Sequence, residues 1–267
     1  MITPISYIKK LEGKSNAHLI TFDDGRDYVV KYFHNDLKKT LPNEWISYCI
    51  ARYLGLPIPF AQIVEIPEEF SAKIPDISLE VINNSKYQFA SLYVPECLNG
   101  HQISSVPSIK NHGSLAGIIL FDYWLCNGDR TRKNILLREE TLNNFQLWII
   151  DHAEVFGSHS WIISELETLP KELMKSATHQ FMSSYIEDER SFAKQLQIIQ
   201  TFPVLLLEEI VDLIPDDWLV SKEDKKALVG RLINRRKKFL PVLMRIFIKT
   251  IYRPIQKTKI ENLTNLE

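Results

Sequence analysis

The chain has 267 residues, 45% of them hydrophobic, enough to bury a full core as one large domain or two closely packed lobes. A formal charge of -1 provides no global field to recruit nucleic acid or a membrane. The opening MITPISYIKK is not a charged-then-apolar leader and no apolar run is long enough to span a bilayer; Cys49, Cys97 and Cys126 have neither metal spacing nor an even-numbered framework, which suits a reducing cytoplasm.

In chain order, residues 13–16 (GKSN) form a turn with two readings. It is either a loop that covers phosphates with its backbone amides, Ser15 and Asn16, or a plain surface turn. Residues 18–22 and 27–31 flank an Asp-Asp-Gly-Arg turn and predict a hairpin, its second strand (DYVVK) β-branched, apolar and ending in the cation Lys31. A helix is predicted from about 42 to 54, stopped by Gly55. Its Glu44 is either an ion-pair partner for Lys31 or an acid favouring the helix dipole, because the apolar stripe Trp45, Ile46, Cys49, Ile50 and Tyr53 lies mostly on the other face. Residues 66–75 read as a loop, and 89–96 (FASLYVPE) as a strand running into a crossover.

The stretch at 115–125 is apolar apart from Asp122 and predicts a buried helix. It leads into GDRTRKNILL at 128–137; a turn at 139–144 and the apolar strand 145–150 follow, so the two β-prone runs read as a hairpin ending at Asp151. Beyond it the chain reads as helical. Residues 186–199 are amphipathic, 214–218 mark a proline turn, and Ser221 with Asp224 resembles a capping box. The segment 231–259 is rich in Lys and Arg, notably 235–238 (RRKK), which is either a solvated helix face or a contact for nucleic acid, anionic lipid or an acidic partner. The last ten residues read as a frayed end, and neither repeats nor low-complexity segments occur.

The chemistry concentrates at Asp129, Asn134 and Asp151. An acid on a tight loop, a carboxamide five residues later and a second acid at a strand end are what phosphoryl transfer from ATP requires. Asp129 would orient or deprotonate the attacking hydroxyl. Asn134 offers a neutral oxygen and Asp151 a charged one for a magnesium ion bridging the phosphates. Lys31 would reach the α- and β-phosphates, and Arg130, Arg132 and Lys133 would steady phosphate oxygens or pair with nearby acids. His152 reads as a supporting residue rather than a catalytic one. The bland reading of an Asp-x-x-x-x-Asn pair alone is a loop acid or a helix cap; the following strand-end Asp and the upstream Lys31 are what raise it.

These motifs make the sequence resemble the HipA-like kinases. The residues that carry the resemblance are Tyr28 to Lys31, Asn43-Glu44, the GLPIP turn at 55–59, FDYWLCNGDRTRKN at 121–134 and Ile150-Asp151-His152, over about residues 10 to 240. The resemblance implies an α+β, two-lobed protein-kinase-like fold: a strand-rich N-terminal lobe at 1–95, a mainly helical catalytic lobe at 96–250 and a tail at 251–267. It implies ATP and magnesium as cofactors, Lys31 and Asp129 in catalysis, Asn134 and Asp151 at the metal, and Tyr93 and Val94 against adenine. It implies transfer to Ser or Thr of a protein, the chain itself included, and it admits a regulatory protein partner. The same GDR…N and ID pairing is similar to phosphatidylinositol kinases, which keeps lipid or small-molecule acceptors open. A nucleotide-binding module without turnover is the third reading. Gly-Asp-Arg replaces the His-Arg-Asp of typical protein kinases and Asp-His-Ala replaces Asp-Phe-Gly, so their activation-loop switching is not carried over.

Overall fold

A computed structural model describes residues 2–12, 17–75, 77, 85–103 and 105–264. Five strands form an antiparallel sheet in the order β1-β2-β3-β5-β4: β1 (Pro4–Lys10), β2 (Ala17–Phe22), β3 (Asp27–Lys31), β4 (Ala61–Glu65) and β5 (Tyr87–Leu92). Both faces of β3 are covered, which explains its unbroken apolar pattern. Tyr28 and Val30 join Ile20, Phe22, Val64 and Ala90 in a core on one face, whereas Val29 and Lys31 point into a cavity on the other. The residues 66–75, expected to be a loop, contain a helical turn at Glu68–Ser71, and Ile66 and Ile74 seal that outer core.

Helix α1 (Thr40–Tyr53) crosses the cavity side of the sheet. It ends as its sequence dictates. Gly55 takes φ +68°, its N–H bonds the Arg52 carbonyl, and the Leu56 N–H bonds the Ala51 carbonyl, the pair of bonds that closes a Schellman motif.

The second half packs around α2 (Leu115–Leu125), in which all eleven residues are buried. Such a helix forms only inside a core, and helices on several sides enclose it. It stops at Cys126, in the left-handed region at φ +53°, and delivers the chain to the 128–134 loop. Next to that loop a four-stranded sheet runs in the order β6-β8-β9-β7, from β6 (Leu98–Asn99), β7 (Ser108–Ile109), β8 (Ile135–Thr141) and β9 (Asn144–Ile149). Behind it Gly100 donates to the carbonyls of Arg132 and Ile135. A side chain there would meet the Arg132 carbonyl at 2.8 Å, so only glycine allows this approach.

The C-terminal third is helical, at Ala177–Ser183, Arg190–Gln200, Val204–Asp212 and then Lys222–Asn234, Leu240–Phe247 and Arg253–Thr264. The last three are joined by π-helical turns at Arg235–Phe239 and Ile248–Tyr252. Pro241 and Pro254 explain both: each lacks an N–H and its ring crowds the carbonyl four residues back, and a widened turn relieves that crowding. The basic 235–238 cluster is not a uniform surface. Arg235 and Arg236 are buried, with Arg235 donating to the carbonyls of Tyr123, Trp124 and Pro170, while Lys237 and Lys238 remain exposed. Among the described residues no helix is long and apolar enough to cross a membrane.

Candidate active site

A cavity of about 230 Å³ lies between the five-stranded sheet and the β8–β9 hairpin. Ala17, Val29, Ala61 and Phe89 line it from the sheet side, and Leu136 and Ile149 line it from the hairpin. The slot is apolar, bordered by chain from both halves, and has Tyr93 and Val94 at its edge. The Tyr93 N–H is committed to the carbonyl of Asp27, whereas no described residue engages the Val94 N–H. Ser15 and Asn16, expected to cover phosphates, lie outside the described residues.

At the inner end of the slot Lys31 reaches two carboxylates. Its Nζ contacts Glu44 Oε1 directly and Asp151 Oδ1 at 2.8 Å, with side chains 10% exposed for Lys31, 5% for Glu44 and 36% for Asp151. Of the two readings of Glu44, the ion pair is the one observed. Burial alone pulls the Lys31 ammonium down, but Asp151 and then Glu44 outweigh it and the net shift is upward. Lys31 in turn holds the Asp151 carboxyl down to about 2 against the opposing effect of burial. For Glu44 burial pushes upward, yet Lys31 and a bond from His152 leave it lowered. Glu44 Oε1 also accepts the His152 N–H at 3.0 Å, so one carboxylate ties β3, α1 and the chain after Asp151 together.

Asp129 and Asn134 sit at the end of β8 that faces Asp151. Asn134 Nδ2 donates to the Asp129 carboxylate at 2.9 Å and to its carbonyl at 2.6 Å. The Asn134 carbonyl accepts the Ile150 N–H at 3.1 Å, which places Asp151 one residue from this contact. Asp151 itself has φ +55°, a strained conformation for a residue other than glycine, at a strand end where its carboxylate is partly exposed. The structure thus brings Lys31, Glu44 and Asp151 into one cluster and Asp129 and Asn134 into a second beside it, joined through the hairpin backbone.

Arg130 joins them, and of its two expected roles, at phosphates or with a nearby acid, pairing with an acid is the one observed. Rather than facing phosphates it is buried with all five donors used. Nε and Nη2 grip Asp122 at 2.9 and 3.1 Å, Nη1 bonds the carbonyls of Asn134 and Ile150 at 2.8 and 2.9 Å, and Nη2 donates to His152 Nε2 at 2.8 Å. One guanidinium therefore fixes the backbone at Asn134 and beside Asp151. Asp122 also accepts from His179 at 2.9 Å and Asn127 at 2.9 Å; burial would raise its carboxyl, but Arg130 and His179 hold it far below the ordinary range. The signal available in the sequence was Asp122 itself, an acid inside an otherwise apolar helix, since a buried charge demands a partner. Because Arg130 donates to Nε2, the His152 proton sits on Nδ1, 3.8 Å from Glu44; burial lowers its basicity and keeps the ring neutral. Arg132 packs over Phe181 and donates to the Ile103 carbonyl, and Lys133 is exposed.

Among the described residues no group of three or more His, Cys, Asp or Glu side chains is arranged to hold a metal. Asn134 and Asp151 nevertheless fit a magnesium ion that a nucleotide completes. The amide nitrogen of Asn134 is turned to Asp129, which leaves Oδ1 as its free donor atom, and the Asp151 carboxylate is partly open.

A family model described as "HipA-like kinase" matches residues 5–245. The chain belongs to the HipA-like kinase family. Its fold agrees with that membership: the Helicobacter pylori proinflammatory kinase CtkA superposes with a TM-score of 0.61 at 14% identity, covering 93% of this chain and 96% of that one. Hydra Fam20, solved with a sugar, superposes with a TM-score of 0.52 at 12% identity over 95% and 88% of the two chains. No curated protein matches by sequence. This HipA-like kinase has the expected α+β architecture, a strand-rich N-terminal sheet followed by a helical C-terminal part, and family and fold together support phosphotransferase chemistry.

Proposed function

We propose that this HipA-like kinase transfers the γ-phosphoryl group of ATP, with magnesium, to a Ser or Thr hydroxyl of a protein, its own chain included. Residues 1–95 act as the nucleotide-covering lobe, 96–250 as the catalytic lobe and 251–267 as a tail. The observation that carries the reading is the buried Lys31–Glu44–Asp151 cluster at the inner end of an apolar slot, with the Asp129–Asn134 pair on the same hairpin end. In this reading the apolar walls take the adenine ring and the Val94 N–H supplies a backbone donor at its edge. Lys31, held by Glu44, presents its ammonium to the phosphates. Asp129, steadied by Asn134 Nδ2, accepts the proton of the acceptor hydroxyl. Asn134 Oδ1 and Asp151 would hold magnesium, which when bound neutralises charge on the phosphate oxygens. Burial of Arg235 and Arg236 removes half of the 235–238 basic run from any contact with nucleic acid, anionic lipid or an acidic partner.

Transfer from γ-labelled ATP tests this. Wild-type protein, alone and with a mixed protein acceptor, incorporates label. Asp129→Ala lowers the rate by about 10²- to 10⁴-fold, the usual size of a lost general base, and Asp151→Ala abolishes it. Tight nucleotide binding with no transfer to any acceptor would instead identify a module without turnover.

A further inference from the structure

Asn43 stands next to Glu44 in the first turn of α1 and is fully buried. Its Nδ2 faces the carbonyls of Ala153 at 2.7 Å, Ser158 at 3.1 Å and Val155 at 3.2 Å, and its Oδ1 accepts the indole N–H of Trp161 at 2.9 Å. Every contact falls on the ten residues after Asp151. That stretch holds two non-glycine residues in the left-handed region when Asp151 is counted with it, Asp151 at φ +55° and Phe156 at φ +60°. Such conformations cost of order 1–3 kcal/mol each and persist only where the surroundings over-determine them. Neighbouring bonds assist: the Lys39 N–H reaches the His159 carbonyl at 2.8 Å, and the Lys39 ammonium lies 4.6 Å from the Trp161 ring centre. Arg130, with all its donors engaged, is not free to receive a regulatory phosphate.

We propose that Asn43 is a positioning residue, clamping the 152–161 segment to α1 so that Asp151 is held toward the nucleotide slot before any ligand or modification arrives. The inference rests on the reading of Asp151 as a metal ligand. A residue that supports ligands in this way changes metal affinity when it is altered, typically by about 10- to 100-fold.

Asn43→Asp keeps the side-chain shape and the acceptor for Trp161 but removes the donors facing three carbonyls. Two readouts decide. In nucleotide-free, metal-free protein, hydrogen exchange at residues 152–161 becomes faster while exchange in α2 stays as in wild type. With ATP, the magnesium concentration for half-maximal binding rises about 10- to 100-fold, while metal-free ATP binding stays within about twofold. Trp161→Phe, which deletes one of these bonds, moves both readouts in the same direction by less, and it carries the test if Asn43→Asp does not fold. Wild-type exchange and wild-type magnesium requirement in either folded variant would overturn the proposal. Should wild-type protein bind no nucleotide at all, the kinase reading itself fails, and the exchange measurement, which uses no ligand, still decides the clamp.

Discussion

Lys31 is buried between two carboxylates, and the energetics of that arrangement run in one direction. Removing the lysine leaves Glu44 charged and unpaired in the interior, which costs far more than the intact pair contributes over an apolar substitute. Lys31→Met is therefore expected to lower stability at pH 7 by about 3–5 kcal/mol, read from urea unfolding. The pH dependence has a definite sign. Asp151, held at about 2 against an ordinary 3.8, contributes stability that is fully present above 3.8 and is lost as pH falls toward 2. Lys31 is raised above its ordinary 10.5, so its share is full below 10.5 and is lost as pH rises beyond it. The gap between wild type and Lys31→Met should accordingly narrow as pH falls, because Asp151 protonates in wild type and the unpaired, buried Glu44 protonates in the variant, and narrow again above about pH 10.5 as Lys31 loses its proton. A gap that widened in acid would mean that the three groups do not form this cluster. At this scale the sequence named Lys31, Asp129, Asn134 and Asp151, because residue type and spacing reveal them. It left Glu44 undecided, since a single acid in a first helical turn has a local explanation as good as the distant one. It named Asn43 only within the Asn43-Glu44 motif and gave it no role, because nothing local distinguishes a buried asparagine that reaches residues more than a hundred positions away.

Elements were legible where local chemistry sets their ends. Gly55 stops α1, Ser221 and Asp224 form the expected capping box on Lys222–Asn234, and the hairpin leading to Asp151 is present as β8 and β9. Illegible were elements whose form depends on partners. The helical turn at Glu68–Ser71 exists where Ile66 and Ile74 close the outer core, and the frayed end expected at the C-terminus is helical through Thr264. The basic segment divides for the same reason. Arg235 points inward to satisfy the last carbonyls of α2, a need set by α2 and invisible within 235–238 itself. Arg235→Met should strand those carbonyls and destabilise the protein by about 2–4 kcal/mol, whereas Lys238→Ala should change stability by less than about 0.5 kcal/mol. Thermal unfolding of the two variants side by side checks this, and equal effects would contradict the buried role.

At the scale of the whole molecule, family and architecture were readable because kinase motifs occur in a fixed order along the chain and their spacing implies the lobes. The convergence of β3, α1 and the β8–β9 hairpin on one slot follows from that order, with Glu44 and Arg130 as the ties. What spacing does not encode is the acceptor, whose recognition depends on surfaces assembled from many separate segments. The most direct measurement is a crystal structure with a non-hydrolysable ATP analogue and magnesium. The account predicts adenine in the apolar slot beside Val94, the metal between Asn134 Oδ1, Asp151 and the phosphates, and Asp129 facing the space beyond the γ-phosphate. A nucleotide bound elsewhere, or a metal held without Asn134 and Asp151, would contradict it.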